Sequence, residues 1–167
     1  MRLRLRSPLL GTLIVVSLAL PSIVLTALPA SANPYQQLNG SWTGRGTVTP
    51  LEGKPEKVSC NTTYKIEGAA VMQTVRCAGA RNAFAGSLEL TYDGGRISGT
   101  WREQLHGASG GVSGTANGSS IRARLSGQTF TGRMSIDVAG PRHTIEIVQR
   151  DARSGAYRPV ASISLHR

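Results

Sequence analysis

One stretch of the chain has the form of a nucleophile motif: Gly107-Ala108-Ser109-Gly110-Gly111 fits G-x-S-x-G, and His106 directly precedes it. That pattern does chemistry where a strand-to-helix turn in a doubly wound α/β sheet strains the serine and exposes its hydroxyl. No helical pattern follows Ser109 and the chain is too short for that fold, so a Gly/Ser hairpin loop accounts for these residues. His106, His143 and His166 fall in or beside loops and at the last strand, without His-x-His or HExxH spacing, so neither a metal nor a cofactor is expected. Glu89, Glu103, Asp137 and Glu146 mostly occupy outward strand positions, whereas an acid/base pair must converge inside a cleft. No catalytic residues are assigned, and the expectation is a protein that is not an enzyme.

The arginines suggest binding rather than catalysis. Arg122 and Arg124 point outward from one strand and Arg133 from the next. With Gly127-Gln128 as the turn, Arg122 is expected opposite Arg133 and Arg124 opposite Thr131. Like charges directly across a ladder repel. Either the long side chains splay into water, or a bound anion such as phosphate or sulfate relieves the repulsion through bidentate arginine contacts.

The cysteines point to a structural bond. If Gly68-Ala69 is a two-residue hairpin turn, residues equidistant from it face each other, which sets Cys60 opposite Cys77 in a non-hydrogen-bonded pair. The same register sets Ile66 opposite Val71, Tyr64 opposite Gln73 and Thr62 opposite Val75. Two inward cysteines at closest backbone approach predict a disulfide, the default in an oxidising compartment. A catalytic or metal role would need a CxxC pair or convergent histidines, and neither is present.

Strands must position all of these residues. After residue 33, segments of five to nine residues alternate apolar with polar and are punctuated by Gly, Asn, Asp and Pro; Phe130 to Val138 is the clearest. About ten strands result, joined by Gly68-Ala69, Asp93-Gly94-Gly95, Asn117-Gly118, Gly127-Gln128 and Ala139-Gly140-Pro141. The fold class is all-β: an antiparallel up-and-down meander of about 8–10 strands, closed or nearly closed into a barrel, with a β-sandwich as the alternative. An apolar-x-Gly-x-apolar pattern recurs at Phe84–Leu88, Ile97–Trp101, Val112–Ala116 and Phe130–Met134. Inward glycines of this kind mark sharp coiling with aromatics covering the gap, or they leave room for a ligand.

The chain has 167 residues, a single-domain length. Arg2, Arg4 and Arg6 precede a long apolar run ending in Ala30-Ser31-Ala32, so residues 1–32 are expected to be a cleaved signal peptide, a membrane anchor being the competing reading. Residues 33–167 then form one domain with 16 basic and 9 acidic residues, a formal charge of +7. The basic residues are dispersed. Export removes the usual nucleic-acid partners, and the charge suits either solubility or attraction to an anionic envelope component, such as lipid head groups or acidic glycans.

Leu38-Asn39-Gly40-Ser41-Trp42, the meander and the terminal Arg167 together resemble the G-x-W strand and late arginine of the calycin barrels, meaning lipocalins, fatty-acid-binding proteins and avidins. The resemblance implies that Trp42 closes one barrel end and that Arg167, or Arg150, packs over it. The chain from Gly40 through Arg76-Cys77-Ala78 to Trp101-Arg102-Glu103 also resembles an uncharacterised family of short exported bacterial proteins. That resemblance implies a periplasmic or secreted address and no activity. The expected function is a non-enzymatic exported barrel that binds a small apolar or amphipathic ligand, or an envelope component, at its mouth. Trp42, Tyr64 and Trp101 are the inward aromatic candidates, Gln73 is the inward polar candidate, and Arg122, Arg124 and Arg133 form an outer anion patch. The alternative is an interaction module that meets anionic glycans, lipids or an envelope protein through its basic exterior. No membrane span is expected in the mature chain.

Overall fold

A computed structural model describes residues 33–167. The expected signal peptide, residues 1–32, lies outside the described residues. A short 3-10 helix, Pro34–Leu38, leads into ten strands: β1 Gly40–Val48, β2 Glu56–Glu67, β3 Ala70–Ala78, β4 Ala83–Asp93, β5 Arg96–Glu103, β6 Ser109–Asn117, β7 Ser120–Gly127, β8 Thr131–Ala139, β9 Arg142–Arg150 and β10 Tyr157–His166. Each strand pairs antiparallel with the next and β10 pairs with β1, so the sheet closes into a barrel and leaves no edge.

The two ends differ because their turns differ. At one end, two-residue turns at Gly68-Ala69, Gly94-Gly95, Gly118-Ser119 and Gly140-Pro141 join the strands. Each opens on a glycine with positive φ, as at Gly68 with 59°, the conformation a tight hairpin needs at its first position. This is also where the 3-10 helix and the C-terminus lie, and it is the closed end. The connections at the other end are longer, spanning residues 49–55, 79–82, 104–108, 128–130 and 151–156.

Alternation along each strand sends one side-chain set inward. Leu38, Ala116, Ile121, Ile136 and Leu165 are fully buried, and β2 alternates buried with exposed almost without a break. The inward glycines bring backbones together: a Cβ on Gly110 would run into the carbonyl of Ser126 on the next strand. Phe84 and Phe130 fold over Gly86 and Gly132, each within 2.7 Å of where a Cβ would sit. Coiling with aromatic cover thus explains these glycines. Gly110→Ala is expected to lower stability by about 1–3 kcal/mol in urea unfolding, since backbone must shift to admit the methyl group.

The β2–β3 register is the one the turn predicts, with Tyr64 opposite Gln73 and Thr62 opposite Val75, and Cys60 and Cys77 are joined in a disulfide with their Cα atoms 4.1 Å apart. The β7–β8 register differs from expectation. Ser126 pairs with Thr131, with Gly127 and the connection 128–130 between them, so Arg124 faces Arg133 and Arg122 faces Ser135. The two-residue turn at Gly127-Gln128 does not form, because Phe130 is drawn back over Gly132 beside Trp101.

Candidate functional site

Trp42 points inward from the start of β1 and is buried at the closed end. Its indole Nε1 donates to the Leu38 carbonyl at 2.6 Å, which ties the barrel floor to the 3-10 helix. The Arg167 guanidinium lies 4.6 Å from the centre of the Trp42 ring, and its two terminal nitrogens donate to the carbonyls of Asn39 at 3.3 Å and Gln37 at 3.1 Å. A planar cation suits this arrangement, since its face stacks while its edge donates. Arg150 instead donates to the Gly155 carbonyl at the opposite end.

A buried polar group sits against that floor. Gln73 Nε2 donates to the Tyr64 hydroxyl at 3.2 Å, and that hydroxyl pairs with His143 Nε2, also at 3.2 Å. In the tautomer in which Tyr64 donates to Nε2, the proton of a neutral His143 resides on Nδ1. The His143 ring meets Trp42 edge-on at 4.5 Å and Tyr64 at 5.6 Å. Burial pushes the His143 pKa down to about 4 and the Tyr35 and Tyr64 phenols up. His143 Nδ1, Tyr35 Oη, Thr62 Oγ1 and Tyr92 Oη are buried without a hydrogen-bond partner among the described residues.

The depressed His143 pKa makes stability depend on pH. An unfolded histidine takes up its proton near pH 6.5 and the folded one only near pH 4, so the unfolded state binds more protons between these values. Stability is complete above about pH 6.5 and falls toward pH 4, with a loss of about 2 kcal/mol between pH 7 and pH 5. Urea midpoints at the two pH values measure this, and His143→Gln is expected to flatten the difference.

The open end is held by carboxylates. Glu56 accepts the Arg81 backbone N–H at 2.6 Å and also the Asn82 amide, securing the β3–β4 loop. Glu103 does the same for the β5–β6 loop through the backbone N–H groups of Leu105 at 3.0 Å and His106 at 2.6 Å, with the His106 ring at 2.9 Å. Asp151 accepts from the backbones of Arg153 and Ser154 in the β9–β10 loop. The Arg81 N–H leads in lowering the Glu56 pKa; burial raises that of Glu103, but the backbone N–H groups of His106, Leu105 and Ala85 outweigh it; the Ser154 and Arg153 N–H groups lower that of Asp151. The outward placement expected of Glu103 is therefore corrected. It shares the inward parity of Ile97 and Trp101 and is buried, whereas Glu89, Asp137 and Glu146 are exposed. Ser109 of the G-x-S-x-G stretch is exposed at the start of β6, and the His106 ring bonds to Glu103.

Above these supports lies an apolar mouth. Phe84 and Leu105 are 38% and 55% exposed at the rim. Trp101 and Phe130 are half-buried and meet edge-to-face at 5.6 Å, with the Trp101 indole donating to the Ser126 carbonyl at 3.2 Å. Trp42, Tyr64 and Gln73 are thus gathered at the closed end, while Trp101 stands at the open end. Sequence reasoning weighed His143 only as a metal ligand and set it aside, and it did not single out Tyr35 or Glu56.

Arg122, Arg124 and Arg133 share a groove of about 630 Å³ on the outer wall, together with Glu146. Arg122 bonds both carboxylate oxygens of Asp137 at 2.8 and 3.1 Å, and Arg133 stacks 4.1 Å above the Tyr157 ring. Among the described residues no cluster of three or more His, Cys, Asp or Glu side chains is placed to hold a metal, and no helix is long and apolar enough to cross a membrane.

No family model matches the sequence, and no curated protein matches it. The barrel is similar to a solved structure, the S-type phycobiliprotein lyase CPES from Guillardia theta, with a TM-score of 0.56 and 9% identity over 80% of this chain and 89% of that one. At such identity the likeness establishes the fold. The expectation of a protein that is not an enzyme is corrected: a barrel of this shape also serves a protein named as a lyase, so the fold excludes no enzymatic activity.

Proposed function

We propose that the protein is a lipocalin-like barrel that takes a small apolar or amphipathic ligand through its open end. The observation that carries this reading is the mouth: Phe84 and Leu105 expose apolar surface at the rim, Trp101 and Phe130 line it below, and buried carboxylates hold two of the bordering loops in place. Large exposed apolar side chains gathered on one rim mark a binding surface. Ten strands also enclose a wider interior than the eight of small barrels. The likeness to a phycobiliprotein lyase supports a fold built to receive a small molecule. The chain is exported after cleavage behind Ala32 to a periplasmic or secreted address, a reading supported by the Cys60–Cys77 disulfide.

A second reading rests on the outer groove. Arg124 faces Arg133 directly, so an anionic envelope component, lipid or glycan would relieve their repulsion. Salt separates the two. Titration with the neutral probe N-phenyl-1-naphthylamine is expected to saturate with an affinity that changes less than about twofold between low and molar salt, and to weaken about tenfold or more in Trp101→Ala. Absence of saturable probe binding, with salt-sensitive binding to anionic vesicles that Arg124→Ala abolishes, would favour the outer surface.

A further inference from the structure

The floor of the barrel carries more hydrogen-bonding capacity than its own residues use. Tyr35 and Thr62 are 1% and 2% exposed with unpartnered hydroxyls, and His143, 2% exposed, has an unpartnered Nδ1. Burying such groups alone is costly, and native interiors leave few of them. They lie around Tyr64, and the Tyr35 phenol is close enough to it to raise its pKa. Thr62 faces Trp42 across the β1–β2 ladder and stands two residues from Tyr64, and the His143 ring touches both Trp42 and Tyr64.

We propose that this floor binds the uncharged oxygen head, a ketone or aldehyde carbonyl, of the ligand whose apolar body fills the lumen. This inference rests on the lumen reading above. The unpartnered groups offer donors: the two hydroxyls each carry a proton, and Nδ1 carries one in the tautomer in which Tyr64 donates to His143 Nε2. They therefore suit an acceptor. The charge state of that acceptor follows from what is buried with it. The buried polar and charged side chains of the described barrel include no Lys or Arg, so a carboxylate head would lie there without a counter-charge. The titratable and charged groups packed around this floor include Tyr35, Tyr64, His143 and, against the Trp42 ring, Arg167. A carbonyl asks for donors only.

The test uses the mature chain and compares 2-tridecanone, tridecanoate and tridecane as competitors of N-phenyl-1-naphthylamine. The ketone is expected to bind about tenfold tighter than the alkane and tighter than the carboxylate, one well-placed hydrogen bond being worth about that ratio. In Thr62→Val and Tyr35→Phe the preference for ketone over alkane is expected to disappear while alkane binding persists, and the urea midpoint without ligand is expected to rise because an unpaired hydroxyl has gone. Equal binding of ketone and alkane, or a ketone preference that survives both substitutions, would overturn the floor site and leave the lumen reading standing. A fallen urea midpoint in both variants would also overturn it, since the hydroxyls would then be serving the fold itself. If none of the three compounds displaces the probe, the lumen reading fails and the floor site with it.

Discussion

Trp42→Ala is expected to cost about 3–5 kcal/mol, the largest loss from any single side chain in the barrel. The indole is buried, donates to Leu38, receives Arg167 on its face and meets His143 at its edge. Its removal opens a cavity at the floor and also deprives Arg167 of the ring that holds its guanidinium over the N-terminal helix. Trp42→Phe keeps part of the volume but loses the Nε1 donor, and is expected to fall between alanine and wild type. Urea unfolding measures both. A loss below about 1 kcal/mol for the alanine variant would mean that the floor is not part of the cooperative core.

Removing the disulfide comes next. Cys60 and Cys77 are 17 residues apart in sequence and lie on adjacent strands, so the bond closes a loop of moderate size. Chain-entropy reasoning gives about 3 kcal/mol for such a loop, with 2–5 kcal/mol typical for native bonds of this kind. The double substitution Cys60→Ala, Cys77→Ala is expected to lower stability by about that amount, and reduction of the wild type to lower it similarly. Urea curves with and without reductant measure the effect. Equal midpoints in oxidised and reduced wild-type protein would show that the bond does not constrain the unfolded chain.

What could be read in advance depended on how local the determinant was. The β2–β3 register followed from one turn, because Gly68-Ala69 fixes every pair up to Cys60–Cys77. Trp42 beneath Arg167 was legible only through the calycin resemblance, since the two residues are joined by the closure of β10 on β1. His143 carried a usable signal: the turn at Gly140-Pro141 sets it opposite inward Val138, which makes it inward as well. Glu103 carried one too, two residues beyond inward Trp101. Tyr35 and Leu38 had none, because a five-residue 3-10 helix is too short to show periodicity. The arginine register failed because aromatic cover at Gly132, a tertiary effect, selected a longer connection than Gly127-Gln128 suggested. The expectation of no enzymatic activity came from missing motifs, and an absent motif says little about a barrel whose fold also serves a protein named as a lyase.

Ligand entry into the lumen through the open end is tested by backbone and aromatic NMR shifts of the mature protein titrated with N-phenyl-1-naphthylamine. Saturable shifts are expected at Phe84, Trp101, Leu105 and Phe130, and further down the interior at Leu125 and Met134. Shifts confined to the outer wall around Arg122, Arg124 and Arg133, with the interior residues unmoved at saturation, would contradict it.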